Sequence, residues 1–190
     1  MVGADKPELS AGAKTYLQEW YAGEREDIYS KYMHKGNLCE DECIELMTDV
    51  LGLGIATKNQ TTFENEWIIG TPDVIAGGIV YDTKCSWDRK TLINSAITLN
   101  KDYEWQLRGY MWLTNSEQAV LFYGLLDTPE ECNYGKFVSY SHIAISERWA
   151  AYRFTRDKAI EEQIVKQVVK CREYLVGYDE MVKGRLGKVV

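Results

Sequence analysis

The chain has 190 residues, 45% of them hydrophobic and 27% charged, with a formal net charge of −7. That balance suits a single globular domain over residues 1–190 whose core needs no disulfide support. No run approaches the ~20 apolar residues of a membrane span, and the N-terminus lacks the charged-then-apolar layout of a secretion signal, so a cytoplasmic protein away from membranes is expected. The acidic excess argues against coating nucleic acid through global positive charge, though a local basic groove on an acidic body remains compatible with it.

Taken in order, Leu9, Ala13, Tyr16, Leu17 and Trp20 fall at helical spacing and predict a helix over 8–22 that ends near Gly23. A short helical stretch is expected over 26–34. Over 37–51, Glu40, Cys43, Ile44, Met47 and Leu51 share one stripe while Asp41, Glu42, Glu45 and Asp49 point away. Glu40 is therefore an acid on an apolar face, where its charge needs a partner: a nearby Lys or Arg, or a cation. Cys39 and Cys43 read as small helix-packing residues. The five cysteines form no Cys-x-x-Cys pair, so neither a disulfide framework nor a zinc ribbon is indicated.

Residues 65–69, 72–76 and 79–84 read as strands, with Gly70-Thr71-Pro72 breaking the chain ahead of Asp73. Gly77-Gly78, between Val-Ile-Ala and Ile-Val-Tyr, is a two-residue hairpin signal. That loop pairs Ala76 with Ile79, Ile75 with Val80, Val74 with Tyr81, and Asp73 with Asp82. Two carboxylates directly opposed repel one another. Lys84, two residues beyond Asp82, shares its face. The set is either a surface hairpin with solvated aspartates or a site for a hard divalent cation, which favours few carboxylates plus waters and phosphate oxygens. Apolar residues on both faces suit a covered central strand pair and weigh against the first reading.

Residues 88–98 read as helical or irregular, and 101–114 as a helix with Leu99, Tyr103, Gln106, Tyr110 and Leu113 on one stripe, which turns Gln106 inward. Strands are expected near 118–126 and 136–145, then a long helix from Ser146 or Thr155 to about Val176. His34 and His142 are isolated.

The ordered set Gly36-x-x-x-Glu40, Pro72-Asp73, Asp82-x-Lys84 and Gln106-x-x-x-Tyr110 resembles the PD-(D/E)XK nuclease superfamily. Through Lys84-Cys85-Ser86 and the helix from Trp105 to Thr114, the chain is most similar to the lambda-type phage exonuclease branch, over roughly residues 34–126. Each motif alone is weak, and their order carries the resemblance. It implies an α/β fold with a restriction-endonuclease-like core, a five-stranded mixed sheet flanked by helices. It further implies a Mg²⁺-dependent deoxyribonuclease, with Mn²⁺ substituting, that degrades double-stranded DNA ends 5′ to 3′ in phage-type recombination. Such an enzyme would act in the host cytoplasm if viral, as a homo-oligomer (a trimer in relatives) alongside a single-strand annealing protein.

Residue by residue, the resemblance makes Asp73, Asp82 and the Thr83 carbonyl metal ligands and gives Glu40 a second ion or its water. Lys84 would orient or deprotonate the attacking water, and Gln106 would hold Lys84 or that water. Ser86 is the candidate for a 5′-phosphate pocket, with Arg25, Lys31 and Lys35 as further basic residues. Arg89, Lys90, Lys101 and Arg108 are candidate phosphate contacts, and Trp87 could stack on bases. The competing readings are a structure-specific or restriction-like endonuclease and a noncatalytic DNA-binding or inhibitory protein, which would lack an acid or the lysine. An iron-sulfur nuclease would need three cysteines after the core helix, where only Cys132 and Cys171 follow.

Overall fold

Gly77 and Gly78 both adopt left-handed φ, 58° and 75°, as a two-residue hairpin loop of the mirror-image type requires. The strands on either side pair in the expected register, Val74 with Tyr81, Ile75 with Val80 and Ala76 with Ile79. The computed structural model describes residues 8–24 and 30–187. The chain divides into two compact units, Met1–Ile28 with Lys158–Val190, and Tyr29–Asp157.

In the first unit, α1 (Ala11–Ala22) starts at Ser10, whose hydroxyl accepts from the Ala13 N–H, and stops at the left-handed Gly23. It lies along α6 (Lys158–Arg185), held by Gln18 to the Tyr174 hydroxyl and by Tyr21 to the Asp179 carboxylate, both at 2.7 Å.

The second unit is a sheet with helices on both faces. Strands β3 (Val74–Ala76), β4 (Ile79–Cys85), β5 (Gln118–Gly124) and β6 (Trp149–Thr155) lie side by side in that order. β4 and β5 are parallel, and the outer pairs are antiparallel. Helices α4 (Arg89–Ile97) and α5 (Lys101–Thr114) make the crossover that parallel pairing demands. β4 is buried over consecutive residues 80–83, as a strand covered on both faces should be. On one face, α3 (Glu40–Leu51) packs Cys43, Ile44 and Met47 against Tyr81, Val120 and Phe122. On the other, Leu92 of α4 and Leu107 and Met111 of α5 cover Val80, Leu121 and Tyr123. Helix α2 (Lys31–Leu38) precedes α3, with Cys39 buried at the junction.

Among the described residues the sheet has four strands, not the expected five. The remaining strand residues, β1 (Phe63–Glu64) and β2 (Ile69–Gly70), form a separate antiparallel ribbon. Two local features isolate it. The Asn65 side chain accepts from the Trp67 and Ile68 N–H groups and bends the run expected as a strand over 65–69, and Pro72 offers no backbone donor to continue a ladder.

The strand expected over 136–145 is likewise absent there. The Asp127 carboxylate accepts from the Tyr140 N–H and the Ser139 hydroxyl, and such side-chain capture competes with ladder formation. Only a single bridge, Thr128 to Val138, remains. The strand is instead Trp149–Thr155, which the periodicity had placed partly in the last helix. Alternation decides it: Trp149 stacks on Phe122 at 5.9 Å on one face, while Ala150, Tyr152 and Phe154 join the core on the other.

Candidate active site

β3 stops at Val74 while β4 runs on to Cys85, so the outer edge of β4 is open from Asp82 onward. Asp73 fills the place of the missing strand. Its Oδ2 accepts from the Thr83 N–H at 2.7 Å and from the Thr83 hydroxyl at 2.9 Å. The N–H and carbonyl of one residue point to the same side of a strand, so the Thr83 carbonyl also faces this edge. The loop ahead of the ribbon braces Asp73 from behind, with the Asn59 N–H donating to the Asp73 carbonyl and the Asn59 amide to the Pro72 carbonyl, at 2.7 and 2.9 Å.

Asp82 is 1% exposed, and neither carboxylate oxygen makes a hydrogen bond of good geometry. Its salt-bridge partner is Lys84, whose Nζ lies 2.5 Å from Oδ2. Burial pushes the Asp82 carboxyl up to about 6, with Asp73 and Glu40 adding to the rise and Lys84 opposing it. Asp73 is raised too, by burial, against the Thr83 hydrogen bonds and the Lys84 charge. Lys84 shows the opposite balance: burial works against its ammonium, but Asp82 and Asp73 outweigh that and raise its pKa. The ammonium also sits over the Tyr103 ring at 4.8 Å.

These groups gather at a cavity of about 590 Å³ whose wall includes Glu40, Asp73, Thr83, Lys84, Ser86 and Tyr103. Asp82 is not part of that wall but is paired with Lys84, which is. Glu40, the first residue of α3, keeps 31% of its side chain exposed and pairs with Lys58 at 2.9 Å. Ser86 is 3% exposed with an unpartnered hydroxyl. Gln106 is off the cavity wall and donates to the Tyr110 hydroxyl at 2.8 Å. That tyrosine's pKa is raised by burial, against the Gln106 hydrogen bond, with Asp82 and Asp73 contributing.

The basic candidates are dispersed. Arg89 pairs with Glu147 at 2.6 Å, Lys101 with Glu104 at 2.8 Å, and Lys90 is exposed on α4. Arg108 is turned inward to Glu104, the Thr155 carbonyl and the Phe154 ring, where it ties α5 to β6. Arg25 lies outside the described residues.

Lys35 is fully buried. Its ammonium donates to the carbonyls of Ser86, Trp87 and Leu126 at 2.9, 3.1 and 2.7 Å and to the Thr128 hydroxyl at 2.8 Å. Burial lowers its pKa. It locks the segments leaving β4 and β5 together and is not displayed for a ligand. Sequence reading did not find this role, nor those of Lys58 and Asn59, because each depends on a partner far away in the chain.

Among the described residues, no three His, Cys, Asp or Glu side chains form a ready metal cage. Mg²⁺ does not require one, since it binds through one or two carboxylates and keeps its waters. Asp73 and the Oδ1 of Asp82, which has no hydrogen-bond partner, fit that demand in number and type, while Oδ2 is already paired with Lys84.

No family model and no curated protein matches the sequence. Solved structures do. The phage-related exonuclease from Haemophilus somnus 129PT aligns with a TM-score of 0.79 at 27% identity, covering 96% of this chain and 89% of that one. The chain shares the fold of this phage-related exonuclease, a structural match in line with the lambda-type PD-(D/E)XK resemblance of its motifs. The alkaline exonuclease LHK-Exo from Laribacter hongkongensis shares the exonuclease fold, with a TM-score of 0.70, 16% identity, and coverage of 98% and 90%. Its complex with dAMP gives 0.72, 17%, and coverage of 95% and 88%. No described helix of this exonuclease fold is long and apolar enough to cross a membrane.

Proposed function

We propose that the protein is a divalent-metal-dependent deoxyribonuclease that removes nucleotides 5′ to 3′ from double-stranded DNA ends. The observation that carries this reading is the buried Asp82, whose Oδ2 pairs with Lys84 at 2.5 Å and whose Oδ1 has no hydrogen-bond partner, beside an Asp73 that caps the open edge of the same strand. The fold shared with a phage-related exonuclease at 27% identity supports it.

Asp73, Asp82 and the Thr83 carbonyl would hold Mg²⁺ (Mn²⁺ substituting), with Glu40 serving a second ion or its water. Bound there, the metal would supply a water acidified for attack and positive charge beside the phosphate. The protein's own groups do the positioning. Thr83 fixes the Asp73 carboxylate through two donors, so its free oxygen has a set direction. Lys84, 24% exposed at the cavity wall, presents an ammonium to the water and to the charge growing on the scissile phosphate. Tyr103 limits the directions in which that ammonium can swing. Ser86 offers an unused hydroxyl for a terminal phosphate. Gln106 acts through Tyr110.

The test is a time course on end-labelled linear duplex with Mg²⁺, with and without a 5′ phosphate, beside a covalently closed circle. Mononucleotides released from the phosphorylated 5′ end, with the circle intact, are expected. Cutting of the circle would identify an endonuclease. No hydrolysis of either DNA with Mg²⁺ or Mn²⁺ would overturn the proposal.

A further inference from the structure

Each acid of the site has a resident donor. Asp73 has Thr83, Asp82 has Lys84, and Glu40 has Lys58, which reaches in from the loop between α3 and β1. Thr83 and Lys84 belong to the cavity wall and Lys58 does not. The Lys58 ammonium is also shared. It lies 2.9 Å from the Glu40 carboxylate and 3.0 Å from that of Asp41, which is 80% exposed and likewise off the wall.

The backbone beside Lys58 is fixed relative to the acids. Asn59 donates its N–H to the Asp73 carbonyl and its amide to the Pro72 and Thr61 carbonyls, at 2.7, 2.9 and 2.9 Å. Helix α3 does not need the lysine for its own start, because Glu40, Asp41 and Glu42 fill the first turn, where the helix dipole already favours negative charge. Nor is the Glu40 contact tight. With Lys58 39% exposed, such a pair is worth about a 1.5- to 5-fold preference. An ammonium held this loosely on a cavity-wall carboxylate yields to a dication, and Asp41 lets it leave without losing an ionic partner.

We propose that Lys58 is a positioning residue that stands in for a divalent cation on Glu40 and passes to Asp41 when an ion arrives, so that it sets how tightly that ion is held. This rests on the nuclease reading, which gives Glu40 a second ion, and deepens it by naming the residue that tunes that ion's affinity.

The test is Mn²⁺ binding to the full chain without DNA, followed by electron paramagnetic resonance of the free ion. Wild type should show two classes of site, and Glu40→Gln should remove the weaker one. Lys58→Met should tighten the weaker class by about 3- to 30-fold, the scale of repulsion between an ammonium and a dication roughly 4 to 6 Å apart in water, reduced by salt. The tighter class should move less than about twofold, and Lys58→Arg, which keeps the charge, should stay within about twofold of wild type at both. In a Glu40→Gln background, Lys58→Met should change nothing.

A lysine that merely braced Glu40 would give the opposite sign, since its loss would loosen the carboxylate and weaken the ion. Weaker or unchanged binding in a folded Lys58→Met, an effect that persists without Glu40, or a wild type lacking the Glu40-dependent class would each overturn the proposal. Ion binding that responds to Lys58 without hydrolysis of duplex ends would sink the nuclease reading alone. Hydrolysis with ion binding indifferent to Lys58 would sink the role of Lys58 alone.

Discussion

Asp82 gives the metal-free protein a pH signature that can be measured. Its carboxyl titrates near the ordinary 3.8 in the unfolded chain but at about 6 in the fold, because burial penalises the anion. Between those values the folded state binds more protons than the unfolded one, so stability falls as pH rises. The penalty is fully developed above the folded pKa. Going from 3.8 to about 6 is worth about 3 kcal/mol at 1.36 kcal/mol per pH unit, or roughly 6 to 12 °C in Tm for a chain of this size. Other carboxylates also titrate in this range, some with the opposite sign, so the quantity to follow is the difference between wild type and Asp82→Asn. Lys84, with a raised pKa, titrates well above the window. In urea melts with chelator, wild type should lose about 2 kcal/mol of that relative to the Asn variant between pH 4 and 7. Mg²⁺ at pH 8 should then raise the wild-type Tm and leave Asp82→Asn unmoved, since a ligand stabilises only a fold that binds it. A difference that stays flat or climbs with pH would refute the burial argument. An equal Mg²⁺ effect on both proteins would refute the assignment of Asp82 to the metal.

Lys84→Ala should cut the Mg²⁺-dependent cleavage rate by about 100-fold or more, the usual scale for a positioned proton-handling group; circular dichroism checks that the fold survives, and wild-type turnover would reject the role. Lys35→Met should cost about 2 to 5 kcal/mol in urea unfolding, because the buried Ser86 and Leu126 carbonyls lose the ammonium donor they share, while the Trp87 carbonyl keeps the Thr128 and Tyr140 hydroxyls; a loss under 1 kcal/mol would show that water replaces the ammonium. At Gly124, a Cβ would come within 2.8 Å of the Cys43 sulfur. Gly124→Ala should therefore destabilise by about 1 to 3 kcal/mol, and adding Cys43→Ala should recover at least half of it in thermal melts. Absence of that recovery would place the strain elsewhere.

What could be read from the sequence follows from how far apart the partners lie. The Gly77-Gly78 turn fixes its own register, and a register fixes which side chains share an edge, so Asp73, Asp82 and Lys84 could be brought together on paper. The details at the end of the hairpin could not. Asp73 lies one residue past the last ladder pair, and it reaches for Thr83 rather than facing Asp82 squarely. Glu40 was marked as an acid on an apolar stripe, yet its partner Lys58 comes from a loop with no periodic signature. Lys35 is further still from local legibility. The sequence offered it only as a basic residue for a phosphate pocket, and only the fold supplies the four oxygens that make burial tolerable. The misplaced last strand has the same origin: Trp149–Thr155 alternates correctly, but two alanines and no breaker left helix and strand close in energy until pairing with β5 decided between them.

The same dependence on distant partners explains why the site lies at a strand edge. A central strand offers its backbone groups to neighbours on both sides and has none left for a ligand. β4 becomes half-open only because β3 is three residues long while β4 has seven. Lengthening β3 would satisfy the Thr83 N–H with a backbone carbonyl and free Asp73 from its anchor, and the added strand would cover the edge proposed to receive a cation and a phosphate. Pro72 opposes that extension, since it has no N–H to donate and stands directly before Asp73. The proline thus keeps the edge available, and the aspartate that follows makes use of it. If this is right, Pro72→Ala, which trims a fully buried ring, should cost about 1 to 3 kcal/mol, and the folded variant should show lower Mg²⁺-dependent cleavage because Asp73 is loosened. A variant with unchanged cleavage would assign the open edge to Asp73 alone.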